Sequence, residues 1–151
     1  MKKKYIYLIL IFLLTFMSSC GYTPIYSTSN FDIKLNNFDY TPNTLNKRIV
    51  QTLTNLSNSA GTKEYNVKIN TLKEKNIVSK NSKGETVIYE IKIILELEVY
   101  NDKIKHNKKF SSKLNYNNND NKFELNQYEI EIEKQIMNDL IEEIILFLST
   151  L

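Results

Sequence analysis

Cys20 is the single cysteine of the chain, with Ser18 and Ser19 before it and Gly21 after it. One cysteine excludes an internal disulfide, and in an exported chain an unpaired thiol calls for a use. Small side chains just before a cysteine suit the narrow subsites of a lipoprotein signal peptidase, and the thiol of such a cysteine carries diacylglycerol. The residues upstream fit export. Met1 to Lys4 are basic, and the twelve residues from Tyr5 to Phe16 form an apolar run. Such a run lies in the signal-peptide range and is short of the ~20 residues that span a bilayer. Met17 stands where leucine is usual and Ser19 where glycine is usual. The reading is a signal peptide over residues 1–19, cut before Cys20, and a membrane partner reached through the acylated thiol. Several acyl chains on one cysteine anchor stably where a single chain does not. The alternatives are an uncleaved anchor helix, or a secretory signal with an incidental cysteine. Gly21 at the second mature position, in place of aspartate, leans towards outer-membrane delivery.

The other reactive side chains do not assemble into a catalytic set. His106 is the sole histidine, so no second imidazole or free thiol completes a usual nucleophilic or zinc site. It reads as structural, among apolar residues or at a sheet edge. Glu129, Glu131, Glu133, Asp139, Glu142 and Glu143 are interleaved with the apolar stripe of the last helix, and much of the set falls on its solvent face. Three glycines in the whole chain leave no phosphate-cradling loop or dinucleotide fingerprint. Neither an enzyme nor a cofactor or metal is expected. Two lysine groups remain: Lys73, Lys75, Lys80 and Lys83 about one strand connection, and Lys103, Lys105, Lys108 and Lys109 about the next. Lysines at strand ends suit anionic lipid head groups, and they equally suit solvation or protection of a sheet edge.

Charge narrows the field further. Losing Lys2, Lys3 and Lys4 with the signal takes the 20 basic residues to 17, equal to the 17 acidic ones. A neutral mature domain lacks the basic surface on which general nucleic-acid binding depends, so no nucleic-acid partner is expected. With 42% hydrophobic residues in 151, one packed domain is expected. The heavy use of Asn, Lys and Ile, without Trp, reads as nucleotide-composition bias.

Periodicity supplies the elements. Residues 20–30 read as a lipidated tether, and residues 31–151 as a single domain. Phe31, Ile33 and Leu35 alternate with Asp32, Lys34 and Asn36 in a first strand. Its parity changes before Phe38 and Tyr40, so Asn36-Asn37 marks a bulge or the strand's end. Asn43 or Thr44 caps a helix carrying Leu45, Ile49, Leu53 and Leu56 on one stripe, with Val50 beside it, Ala60 at its end and Gly61 at the C-cap. Tyr65, Val67 and Ile69 alternate in a second strand running towards Val78, followed by a turn over residues 79–85 centred near Gly84. The third strand is the clearest: Val87, Tyr89, Ile91, Ile93, Leu95, Leu97 and Val99 share one parity over roughly 40 Å, with Ile88 and Ile94 as apolar exceptions on the other. Ile104, His106, Phe110, Leu114 and Tyr116 give a fourth strand. After a polar loop, a long helix of about Glu124 to Leu148 presents Leu125, Tyr128, Ile132, Ile136, Leu140, Ile144 and Leu148, widened by Met137, Ile141 and Ile145. The order β-α-β-β-β-α makes an α+β two-layer sandwich: a four-stranded, mostly antiparallel sheet with two helices on one face, its first two strands free to be parallel.

Cys20-Gly21-Tyr22-Thr23-Pro24-Ile25-Tyr26 resembles the mature start of the LPS-assembly lipoprotein family LptE, and the order of elements along the remaining chain matches that family's. The motif covers seven residues, and beyond Tyr26 the likeness is architectural. The resemblance implies a non-enzymatic role: a plug and assembly partner inside the large outer-membrane β-barrel LptD, assisting delivery of lipopolysaccharide to the outer leaflet. Under it, Lys80 and Lys83 become candidates for contact with lipid A phosphates. The competing expectation is a periplasm-facing lipoprotein that binds a soluble ligand, or scaffolds an envelope complex, without a barrel.

Overall fold

The computed structural model describes residues 32–151. Four strands and two helices follow one another as β1 (Ile33–Tyr40), α1 (Thr44–Leu56), β2 (Lys63–Lys80), β3 (Thr86–Tyr100), β4 (Lys105–Asn117) and α2 (Lys122–Leu148). The sheet order is β1-β2-β3-β4. β1 runs parallel to β2, as a helical crossover permits, and the two hairpins make β2–β3 and β3–β4 antiparallel. The expected mixed α+β sandwich is the observed one.

Both helices lie on one sheet face, α1 against β1 and β2, and α2 against β3 and β4. Period-two alternation delivers the core to that face: Ile91, Ile93, Leu95, Leu97 and Val99 of β3 are at most 2% exposed. Val67 and Ile69 of β2 join them, and Ile49, Leu53, Ile136, Leu140 and Ile144 close the layer from above. Each fully buried side chain of this size contributes about 1.5–3 kcal/mol. Val87 shares the inward parity but lies past the helices' cover and remains 41% exposed.

The β1 parity change is a bulge. Its register with β2 slips between Leu35 and Phe38, leaving the edge strand kinked at Asn36-Asn37. Asn43 caps α1 through its side-chain oxygen, which accepts from the Asn46 amide at 2.7 Å. The other end of α1 differs from expectation. The helix stops at Leu56 with Ser57 as its cap, not at Gly61, because the Ser57 hydroxyl is held by the Leu35 amide at 2.8 Å and Asn58 bonds to Ile33 at 3.0 Å. These bonds to the strand end the helix one turn early. Gly61 has a different purpose: a Cβ there would stand 2.8 Å from the Ile33 carbonyl carbon and 2.9 Å from the Lys34 nitrogen. Only glycine lets the loop pass so close to β1.

Candidate functional site

The β2–β3 hairpin is the longest feature of the domain. With 18 residues in β2 and ~3.3 Å per residue, it reaches about 60 Å, ending far from Ile33, where the chain enters the sheet. Asn81 shapes the turn. Its side-chain oxygen accepts from the Lys83 and Glu85 amides at 2.9 and 3.0 Å, and its amide nitrogen donates to the Glu85 carboxylate at 2.7 Å. Gly84 completes the reversal at φ +82°, a conformation that favours glycine. This places Lys80 and Lys83 together at the exposed tip. Among the described residues neither lysine has an ion-pair partner. Behind them stand Ile77, Val78 and Val87, each 41–54% exposed. The tip therefore offers two ammonium groups with aliphatic side chains just behind.

Lys73 and Lys75 do not join that tip. They share the inward parity of Val67 and Ile69 along β2, and they meet carboxylates of α2 at the solvent margin of the helix layer. Lys73 reaches Glu133 and Lys75 reaches Glu129, each at 2.6 Å. Tyr116 of β4 donates its hydroxyl to the same Glu129 oxygen at 2.8 Å. The Lys75 ammonium also lies 4.5 Å from the centre of the Tyr89 ring, which stacks on Tyr116. Burial pushes the Tyr116 phenol well above its ordinary value, and the Glu129 carboxylate adds to the push. For Glu129, burial opposes ionisation, but the Lys75 and Tyr116 hydrogen bonds and the Lys73 charge outweigh it and hold the carboxyl below its usual range. Glu129 and Glu133 were expected among the solvent-face carboxylates; their side chains are in fact 17% and 25% exposed. The signal for this was the continuation of the β2 alternation, which carries two lysines inward and so demands partners.

The opposite sheet face carries no helix. Its surface is a lattice of cross-strand ion pairs: Lys34–Glu64, Lys68–Asp39, Lys105–Glu98, Lys109–Glu96 and Lys113–Glu90, at 2.9–3.4 Å. Lys105 and Lys109, grouped with Lys103 and Lys108 in the sequence, are thereby engaged. Their Glu96 and Glu98 partners, with Asp39, Lys68 and Asn70, line an open groove of about 730 Å³. Ile94, one of the two apolar exceptions, sits on this face opposite Leu72. Exposed pairs of this kind contribute at most ~1 kcal/mol each to stability; their effect is to make the bare face polar.

His106 is half-buried near the start of β4, opposite Val99. Among the described residues no three His, Cys, Asp or Glu side chains come together as a metal site, and no helix is long and apolar enough to cross a membrane. Cys20 lies outside the described residues. One buried polar group escaped the sequence reading: Asn46 is 0% exposed. Its amide nitrogen donates to Thr41 at 2.8 Å, while its oxygen has no partner among the described residues. Its place one turn before Ile49 on the buried stripe was the available signal.

The domain is a charge-neutral sandwich with a polar bare face, a projecting hairpin and polar ties at the margin of its helix layer. Solved structures share the fold. A rare lipoprotein B of Shewanella oneidensis superposes with TM-score 0.57 at 15% identity, covering 76% of this chain and 95% of its own. A minor lipoprotein of Acinetobacter baumannii gives 0.56 at 13%, covering 80% and 94%. A lipoprotein of Caulobacter crescentus gives 0.55 at 11%, covering 80% and 89%. No curated protein sequence matches the chain. Residues 32–148 match the family described as LptE, lipopolysaccharide-assembly, and the chain belongs to that family. It is an envelope protein of lipopolysaccharide assembly, from a lipoprotein family not known for enzymes.

Proposed function

We propose that this chain is an outer-membrane lipoprotein that plugs an LptD-type β-barrel, assists the barrel's assembly and helps deliver lipopolysaccharide to the outer leaflet. In this reading residues 1–19 are the signal peptide, residues 20–30 the tether acylated at Cys20, and residues 31–151 the working domain. The observation that carries it is the bare sheet face. An antiparallel sheet commonly packs one face on its core and turns a polar face outward. This one is tiled by five ion pairs and suits the polar interior of a large barrel. The hairpin adds reach: about 60 Å of β2 exceeds the ~25 Å height of a barrel's apolar band. One end of the domain can then lie near the anchored side while Lys80 and Lys83 meet lipid A phosphates further along.

The test is isolation of the chain from the envelope of the cell that makes it, in mild detergent. A stoichiometric LptD-type barrel is expected to travel with it; a chain that elutes alone contradicts the partnership. In a Cys20→Ala variant, lipid labelling is expected to vanish, and undiminished labelling contradicts the anchor.

A further inference from the structure

α2 is held to the sheet by two different means along its length. From Ile136 to Leu148 it buries seven apolar side chains, none more than 9% exposed. From Lys122 to Glu133 only Leu125 and Ile132 are buried. Phe123, Tyr128 and Ile130 of the same stretch are 72%, 50% and 52% exposed. There the hold of Leu125, Ile132 and the edge-on contact of Tyr128 with Tyr116 is completed by the three polar ties of Lys73–Glu133, Lys75–Glu129 and Tyr116–Glu129. They are needed because α1 does not cover the far half of β2. Asn43, the α1 cap, bonds to Thr71, and beyond Thr71 the inward side chains Lys73 and Lys75 meet α2 alone.

We propose that residues 122–133 form a latch that opens from the sheet as a unit while residues 136–148 stay packed, and that salt and acid release it. Apolar burial is not screened by salt, whereas ion pairs at a solvent margin are. The groups facing Glu129 are Lys73 and Lys75 from β2, the Tyr89 ring from β3, the Tyr116 hydroxyl from β4 and Glu133 on its own helix. Because the Glu129 carboxyl is held below its ordinary value of 4.5, its stabilising effect is complete above that value. It is lost as pH falls through the lower folded one. Opening uncovers Tyr89, Tyr116 and Ile91 at the end of the sheet that bears the hairpin tip. The inference rests on this packing alone and stands whether or not a barrel is the partner.

Hydrogen–deuterium exchange of the full chain in detergent, expressed as protection factors, tests it. Protection over residues 122–133 is expected to be at least about ten-fold lower than over residues 136–148, as for separate opening units. It should fall further in high salt, below pH 4.5, and in a Glu129→Gln, Glu133→Gln variant, with the second segment unchanged. Equal protection and a shared response in both halves would mean one cooperative helix and overturn the proposal. So would a first segment indifferent to both salt and the variant. If the variant does not fold, the salt series on the unaltered chain decides.

Discussion

Lys80 and Lys83 owe their place to Asn81, whose side chain closes the turn that carries them. Each ammonium near an anionic lipid surface contributes about 1 kcal/mol, screened by salt. Changing both to Glu is expected to weaken lipopolysaccharide binding about ten-fold or more and to reduce its surface display, with the circular dichroism spectrum unchanged. Unaltered binding and display would refute the contact. At this scale the sequence was legible where a side chain's neighbours follow from strand parity. It was not legible where two elements must meet. Lys73 and Lys75 stand in the same run of lysines as Lys80 and Lys83, but whether they face ligand or carboxylate depends on where α1 begins. Asn46 was hidden for a similar reason: a polar residue on a buried stripe looks like an interruption until the Thr41 carbonyl is seen beside it.

Among the elements, strands and helices were readable because each carries its own period. β3 keeps an apolar residue at every second position from Ile91 to Val99, and α2 repeats its apolar residues at three and four. Even the β1 bulge showed as a change of parity. The end of α1 did not, since Ser57 caps it through a bond to β1, a contact 22 residues away in sequence. Gly61 looked like a cap because glycine so often is one, yet its constraint is steric. Gly61→Ala is expected to destabilise the domain by about 1–3 kcal/mol, since the backbone atoms of Ile33 and Lys34 cannot move aside as a side chain would. Urea unfolding should show a lower midpoint with an unchanged slope. An unmoved midpoint would mean that the β1 edge yields freely.

At the scale of the molecule, sheet order and the covered face depend on long-range packing, yet both follow the simplest solution: neighbours in sequence are neighbours in the sheet. Leaving the other face bare is what gives the domain its functional reading. A sandwich with one helix layer keeps a whole sheet surface for an environment that is polar but confined, and Ile33, where β1 begins, and the hairpin tip belong to different ends of it. The central claim, that this face looks onto the wall of a barrel lumen, is tested most directly in the living envelope. A photo-crosslinking residue placed at Asn70, which is exposed on the bare face opposite Glu96, should yield one large adduct. The expected partner is an LptD-type barrel, joined at a lumen-facing position. Adducts only to soluble periplasmic proteins, or none while the chain remains in the outer membrane, would contradict the account.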